Sequence, residues 1–192
     1  MTIVRNSNTA GFIAGDLFTG NGIQGQVQRI TDGGNTVITS WCIPPIPTSP
    51  PIGYLKGVHV DQCNNGWQDL LYVSTGRGYP GATGGGWLYQ VWPGDKTCSK
   101  AVVLAGGPAG LHLEGITTVA NDTRYGMLSD SIVCGAQYNN RIYWVTFSNP
   151  QQWNWINIGC QIEDLDIVPF DAENYFLMDY GAGKLVGADY TQ

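Results

Sequence analysis

The stretch Leu113-Glu114-Gly115-Ile116-Thr117-Thr118-Val119, with Ser131-Ile132-Val133-Cys134-Gly135-Ala136 and Arg141-Ile142-Tyr143-Trp144-Val145 after it, decides how the chain is read. Each run is short and rich in β-branched and aromatic residues, and polar turns over 120–130 and 137–140 separate them. Branched and aromatic side chains pack well on a pleated surface, while Gly, Asn and Asp supply the turns between strands. After Asn149-Pro150 a fourth run, Trp153-Asn154-Trp155-Ile156-Asn157-Ile158, completes an antiparallel meander. One such sheet cannot bury both of its faces alone, so the unit is expected in copies.

The copies lie on either side. Upstream, Leu55–Val60, Asp69–Ser74, Trp87–Val91 and Ala101–Leu104 repeat the four strand types in order. Before them come Gly11–Asp16, Gln26–Ile30 and Thr36–Trp41, and after the central unit come Ile162–Ile167, Asn174–Asp179 and Lys184–Ala188. Four strands per unit and a repeat of roughly 40–60 residues predict an all-β domain of about four four-stranded blades, a β-propeller. The blade-like units span about 1–43, 52–106, 111–160 and 161–192 of a single domain. Thr2–Arg5 serves either as the first strand of the first unit or as a closing strand of the last. Phe12, Leu71, Val133 and Leu177 are expected to bury between sheets, because alternate residues of a strand share a face.

Composition narrows the function. Charged residues make up 12% of the 192, against 27 glycines and 10 prolines, as many short strands and tight turns require. The net charge of −6, with nine Lys and Arg, argues against a nucleic-acid partner, which needs a basic surface. No run of about 20 apolar residues occurs, so no membrane span is predicted. Pro44 to Pro51, five prolines in eight positions, is a stiff connector between units. Without a signal peptide, an extracellular or cell-surface location rests on five cysteines, few lysines and the sequon Asn121-Asp122-Thr123. Cys63 and Cys98 fall in turns at the same end of one meander and are expected to form a disulfide. An odd cysteine count leaves one thiol unpaired or bonded to another copy.

The motifs Leu113-Glu114-Gly115-Ile116, Arg141-Ile142-Tyr143 and Glu163-Asp164-Leu165-Asp166-Ile167-Val168-Pro169 resemble those of secreted NHL-type and gluconolactonase-type propellers, the calcium-dependent phosphotriesterase superfamily. Asn174 to Gly187, with Met178-Asp179-Tyr180-Gly181, is similar to the closing blade of bacterial members of uncharacterised function. The resemblance implies a six-bladed ring, of which this chain would carry four units. It also implies Ca²⁺ at the channel mouth, bound by the Glu of an acidic-glycine opening, which Glu114 matches.

The first strands of propeller blades line the channel, and here they open with Lys56-Gly57, Glu114-Gly115 and Glu163-Asp164. Glu114, Glu163 and Asp164 are therefore candidate Ca²⁺ ligands, since Ca²⁺ takes six to eight oxygens from carboxylates, carbonyls and water. Alternatively they pair with Lys56 or hydrogen-bond turn amides. Asp166 shares a face with Asp164. His59 and His112, inside and just before first strands, approach the channel as ligand-binding or structural side chains; zinc spacing is absent. Trp153 and Trp155 share a strand face and form either a sugar-stacking platform or packing between blades. No Gly-x-Ser-x-Gly elbow is present.

These features favour a non-enzymatic, calcium-stabilised propeller for recognition or assembly outside the cell, whose partner is a small molecule, carbohydrate or protein. A calcium-dependent lactonase or phosphoesterase is the second reading. The third is a structural subunit that self-associates.

Overall fold

Short β-rich runs divided by turns give three four-stranded antiparallel sheets and one two-stranded sheet, each wound in sequence order. The computed structural model describes residues 1–20, 26–42, 54–61, 66–76, 86–94, 101–106, 111–162, 164–167, 174–179 and 184–189. For 54–56, 101–106, 174–179 and 184–189 it describes the backbone only. Sheet I holds β1 (Thr2–Ile3), β2 (Leu17–Gly20), β3 (Val27–Thr31) and β4 (Thr36–Cys42). Sheet II holds β5 (Tyr54–Val60), β6 (Leu71–Gly76), β7 (Trp87–Val91) and β8 (Ala101–Gly106). Sheet III holds β9 (Leu113–Thr118), β10 (Ser131–Ala136), β11 (Arg141–Thr146) and β12 (Asn149–Asn157). β13 (Asn174–Asp179) and β14 (Lys184–Asp189) pair as the last hairpin.

The all-β meander is as expected, and the sequence boundaries of sheets II and III hold to within a few residues. Three details differ. Gly11–Asp16 is a turn instead of a strand, because Gly11 and Gly15 have φ of 102° and 86° and Asp16 N bonds back to Ile13 O. Phe12 is still buried from that turn. The Thr2–Arg5 alternative resolves towards the first unit, since Thr2 pairs with Phe18 and Ile3 with Leu17. Finally, Ile162 and residues 164–167 do not form a strand. There the Asp164 carboxylate accepts the Leu165 N–H at 2.9 Å, a local bond that competes with a ladder.

Alternation explains how the sheets stack. On β10 and β11, Ile132, Cys134, Ala136, Tyr143 and Val145 join the core shared with sheets I and II. The intervening Val133 and Trp144 face the other way and pack with Leu165 and Ile167. β9 and β10 are thus buried on both faces, while β12 at the sheet's outer edge is largely exposed. β5 lies against β1 and β2 on one side and β9 on the other, and β8 approaches β12.

Polar links repeat between successive sheets. Asp69, just before β6, accepts from Thr9 N (2.8 Å) and Thr9 Oγ1 (2.6 Å), and Asp130, just before β10, accepts from Gly66 N (3.0 Å). Each aspartate therefore reaches back to the loop joining the first two strands of the preceding sheet. Phe147, after β11, packs edge-on against Trp67 of that same preceding loop, 5.4 Å between centroids. Cys42 is disulfide-bonded, whereas Cys134 and Cys160 are free. The expected pair Cys63 and Cys98 lies outside the described residues.

Candidate functional site

Two glycines bring the first strands together. A Cβ on Gly57 would come within 2.5 Å of Ile116 Cγ2, and one on Gly115 within 2.8 Å of Asp164 Cα. Gly115 also has φ of 56°, a conformation that glycine adopts without strain. Both strands are bulged at the same dipeptide: the register skips Lys56 in β5 and Gly115 in β9. Bulges re-aim the backbone of a strand. Here β5, β9 and residues 164–166 converge on one cleft of about 220 Å³.

Gly57, Val58 and His59, Gly115 to Thr117, and Asp164 to Asp166 line this cleft, with Met1 at its edge. The first strands of sheets II and III and the segment after sheet III thus contribute to it. Asp164 and Asp166 are exposed, while Leu165 between them turns inward beside Trp144. Both aspartates line the cleft, although the segment that carries them is not a strand. His59 Nε2 lies 3.0 Å from Thr118 Oγ1, tying β5 to β9. Burial, then the positive chain amino group and Arg5, lowers the His59 pKa to about 4, so the ring is neutral near pH 7.

The remaining candidates separate. Glu114 and His112 are both buried and meet each other, Glu114 Oε1 to His112 Nε2 at 2.7 Å. His112 lies just ahead of β9 and Glu114 is its second residue, so the pair is local to the strand's opening. Neither lines the cleft. His112 Nδ1 is buried without a hydrogen-bond partner among the described residues, and Tyr138 packs edge-on against the ring at 5.0 Å. Glu163 and the Lys56 side chain lie outside the described residues. Among the described residues no group of three or more His, Cys, Asp or Glu is clustered for a metal.

The two tryptophans also divide. Trp153 is half-buried and packs edge-on to Tyr143 of the adjacent strand in its own sheet at 6.0 Å. Trp155 is 52% exposed, and the Arg141 guanidinium covers one ring face at 3.8 Å. A single open ring face remains, where the platform alternative requires two neighbouring rings.

Sequence reading missed Thr118 as the partner of His59, and the Asp69 and Asp130 links. The signal for the links was present: an aspartate stands just ahead of the second strand at residues 69 and 130, and again at Asp16. No protein-family model matches the chain, and no curated protein matches it either. Among the described residues, no helix is long and apolar enough to cross a membrane.

Proposed function

We propose that the chain is a propeller-type recognition module that holds a small polar ligand in the cleft between β5, β9 and residues 164–166. One observation carries this reading: β5, β9 and the segment that follows sheet III line a single cleft. Meander sheets in chain order, with β9 and β10 buried on both faces, support blades set around an axis, in a ring of about four or within a larger one. Asp164 and Asp166 are the side chains we assign to Ca²⁺. Glu114 is held by His112 and does not line the cleft. The disulfide at Cys42 and the exposed Asn121 of the sequon support an extracellular or cell-surface location.

Calcium at a hundredfold excess over its Kd would stabilise the fold by about 2.7 kcal/mol. For a chain of this length that corresponds to roughly 5–10 °C in Tm. Melts in calcium and in chelator should differ accordingly, and Asp164→Asn with Asp166→Asn should remove the difference. A screen of sugars and small polar molecules, read at the amides of His59, Gly115 and Thr117, tests the recognition itself. Absence of any response at those amides, to calcium or to the screen, would overturn the reading.

The hydrolase reading has one observation in its favour, the His112–Glu114 pair. A carboxylate holding one imidazole nitrogen leaves the other as a proton acceptor. Turnover of a lactone or phosphoester that is lost in His112→Asn would assign the chain to that class instead.

A further inference from the structure

The best-built cavity outside the cleft lies between sheet I and the turn after β7, and encloses about 110 Å³. It shares no lining residue with the cleft. Its walls are Phe12, Phe18 and Trp41, all buried, with Phe18 and Trp41 centroids 4.8 Å apart and Phe12 edge-on to Phe18 at 5.5 Å. Pro93 of sheet II closes one side. Among these apolar walls stands an ion pair, Arg29 Nε donating to Asp16 Oδ2 at 2.5 Å.

The pair is arranged in a particular way. The Asp16 side chain is 3% exposed and that of Arg29 19%, so the guanidinium is held in one orientation. Asp16 uses only the Nε edge, and the two Nη groups have no partner among the described residues. A guanidinium fork presents parallel N–H donors that match a carboxylate bidentately, and a fixed fork loses little entropy on binding. Aromatic walls exclude water and accept a short apolar body, which is how small-ligand pockets are usually lined. The volume displaced equals about three or four waters.

We propose that this cavity is a binding site for a small carboxylate with a short apolar tail, its oxygens on the Arg29 Nη groups and its tail against Phe12 and Trp41. The site is independent of the cleft and of the function proposed for it.

Butyrate is the probe, with 1-butanol and sulfate as controls, and the full chain is titrated by NMR at the Arg29 guanidinium and Trp41 indole. Butyrate should shift both signals saturably, while butanol, lacking the charge, and sulfate, lacking the tail, should not. Arg29→Lys keeps the charge and removes the fork, and should weaken binding by roughly tenfold or more. Ile13, at the rim and 59% exposed, offers a variant that leaves the core alone. Ile13→Asp should weaken butyrate several-fold with Tm unchanged, and it decides the matter if Arg29→Lys does not fold. No saturable shift would overturn the proposal, as would equal shifts with sulfate (an adventitious ion only) or undiminished binding in both variants.

Discussion

Replacing Gly115 by alanine tests the convergence of the first strands directly, and a second glycine supplies the control. Gly115 has φ of 56°, and its added Cβ would sit 2.8 Å from Asp164 Cα and 2.9 Å from Leu165 N. Both neighbours are backbone, so no side chain can rotate away. Gly33 has nearly the same φ, 61°, with ψ of 23°, and nothing lies within 4 Å of its Cβ position. Left-handed backbone alone costs a non-glycine residue roughly 1–2 kcal/mol, which is the whole effect expected for Gly33→Ala. Gly115→Ala adds overpacking of about 1–3 kcal/mol, for a total of roughly 2–5 kcal/mol. At this length each kcal/mol moves Tm by about 2–4 °C. Chemical and thermal unfolding of both variants would measure the difference. If Gly115→Ala costs no more than Gly33→Ala, residues 164–165 do not approach β9 as described, and the cleft loses its third wall.

Three further outcomes follow from the same geometry. The lowered pKa of His59 means that the unfolded chain binds a proton more readily than the native one. Its stabilising contribution is therefore full above about pH 6.5 and is lost as pH falls towards 4, by up to roughly 3 kcal/mol. Urea unfolding across that window should show the slope, and His59→Gln should flatten it. Thr9→Val and Asp69→Asn, combined in a double-mutant cycle, should couple by about 0.5–3 kcal/mol, and additive losses would remove the link between sheets I and II. Trp153→Ala should cost roughly 2–4 kcal/mol as a half-buried aromatic, whereas Trp155→Ala should stay within about 1 kcal/mol; a reversal would mean that the two rings have exchanged roles.

Strand positions were legible wherever a run held no residue that bonds its own backbone or turns the chain. Ser131–Ala136 and Trp87–Val91 fall on β10 and β7 as expected, since nothing in those runs competes with a ladder. Gly11–Asp16 misled because Phe12-Ile13-Ala14 has a strand's apolarity, while its flanking glycines have the φ of a turn. Ile162–Ile167 misled for a different reason, a carboxylate that satisfies its own neighbouring amide. Of the candidate site, Asp164, Asp166 and His59 reach one cleft because the chain at 164–166 runs against β9, whose Gly115 leaves room for it. Glu114 and His112 do not, since they bond each other at the opening of β9. Trp155 could not be placed from spacing, because its cover, Arg141, belongs to a neighbouring strand.

The double burial of β9 and β10 affects how these strands find their alignment. In a sheet with one wet face, sliding a strand by one residue turns its apolar set to water, and that penalty polices the pairing. On β10 the slide would only exchange Ile132 and Cys134 for Val133, apolar for apolar, so burial alone discriminates weakly. Alignment there must be enforced by features fixed to one position of the strand: the bulge at Gly115, and the Asp130 carboxylate locked onto Gly66. Slipped pairings should therefore accumulate during refolding when either is removed.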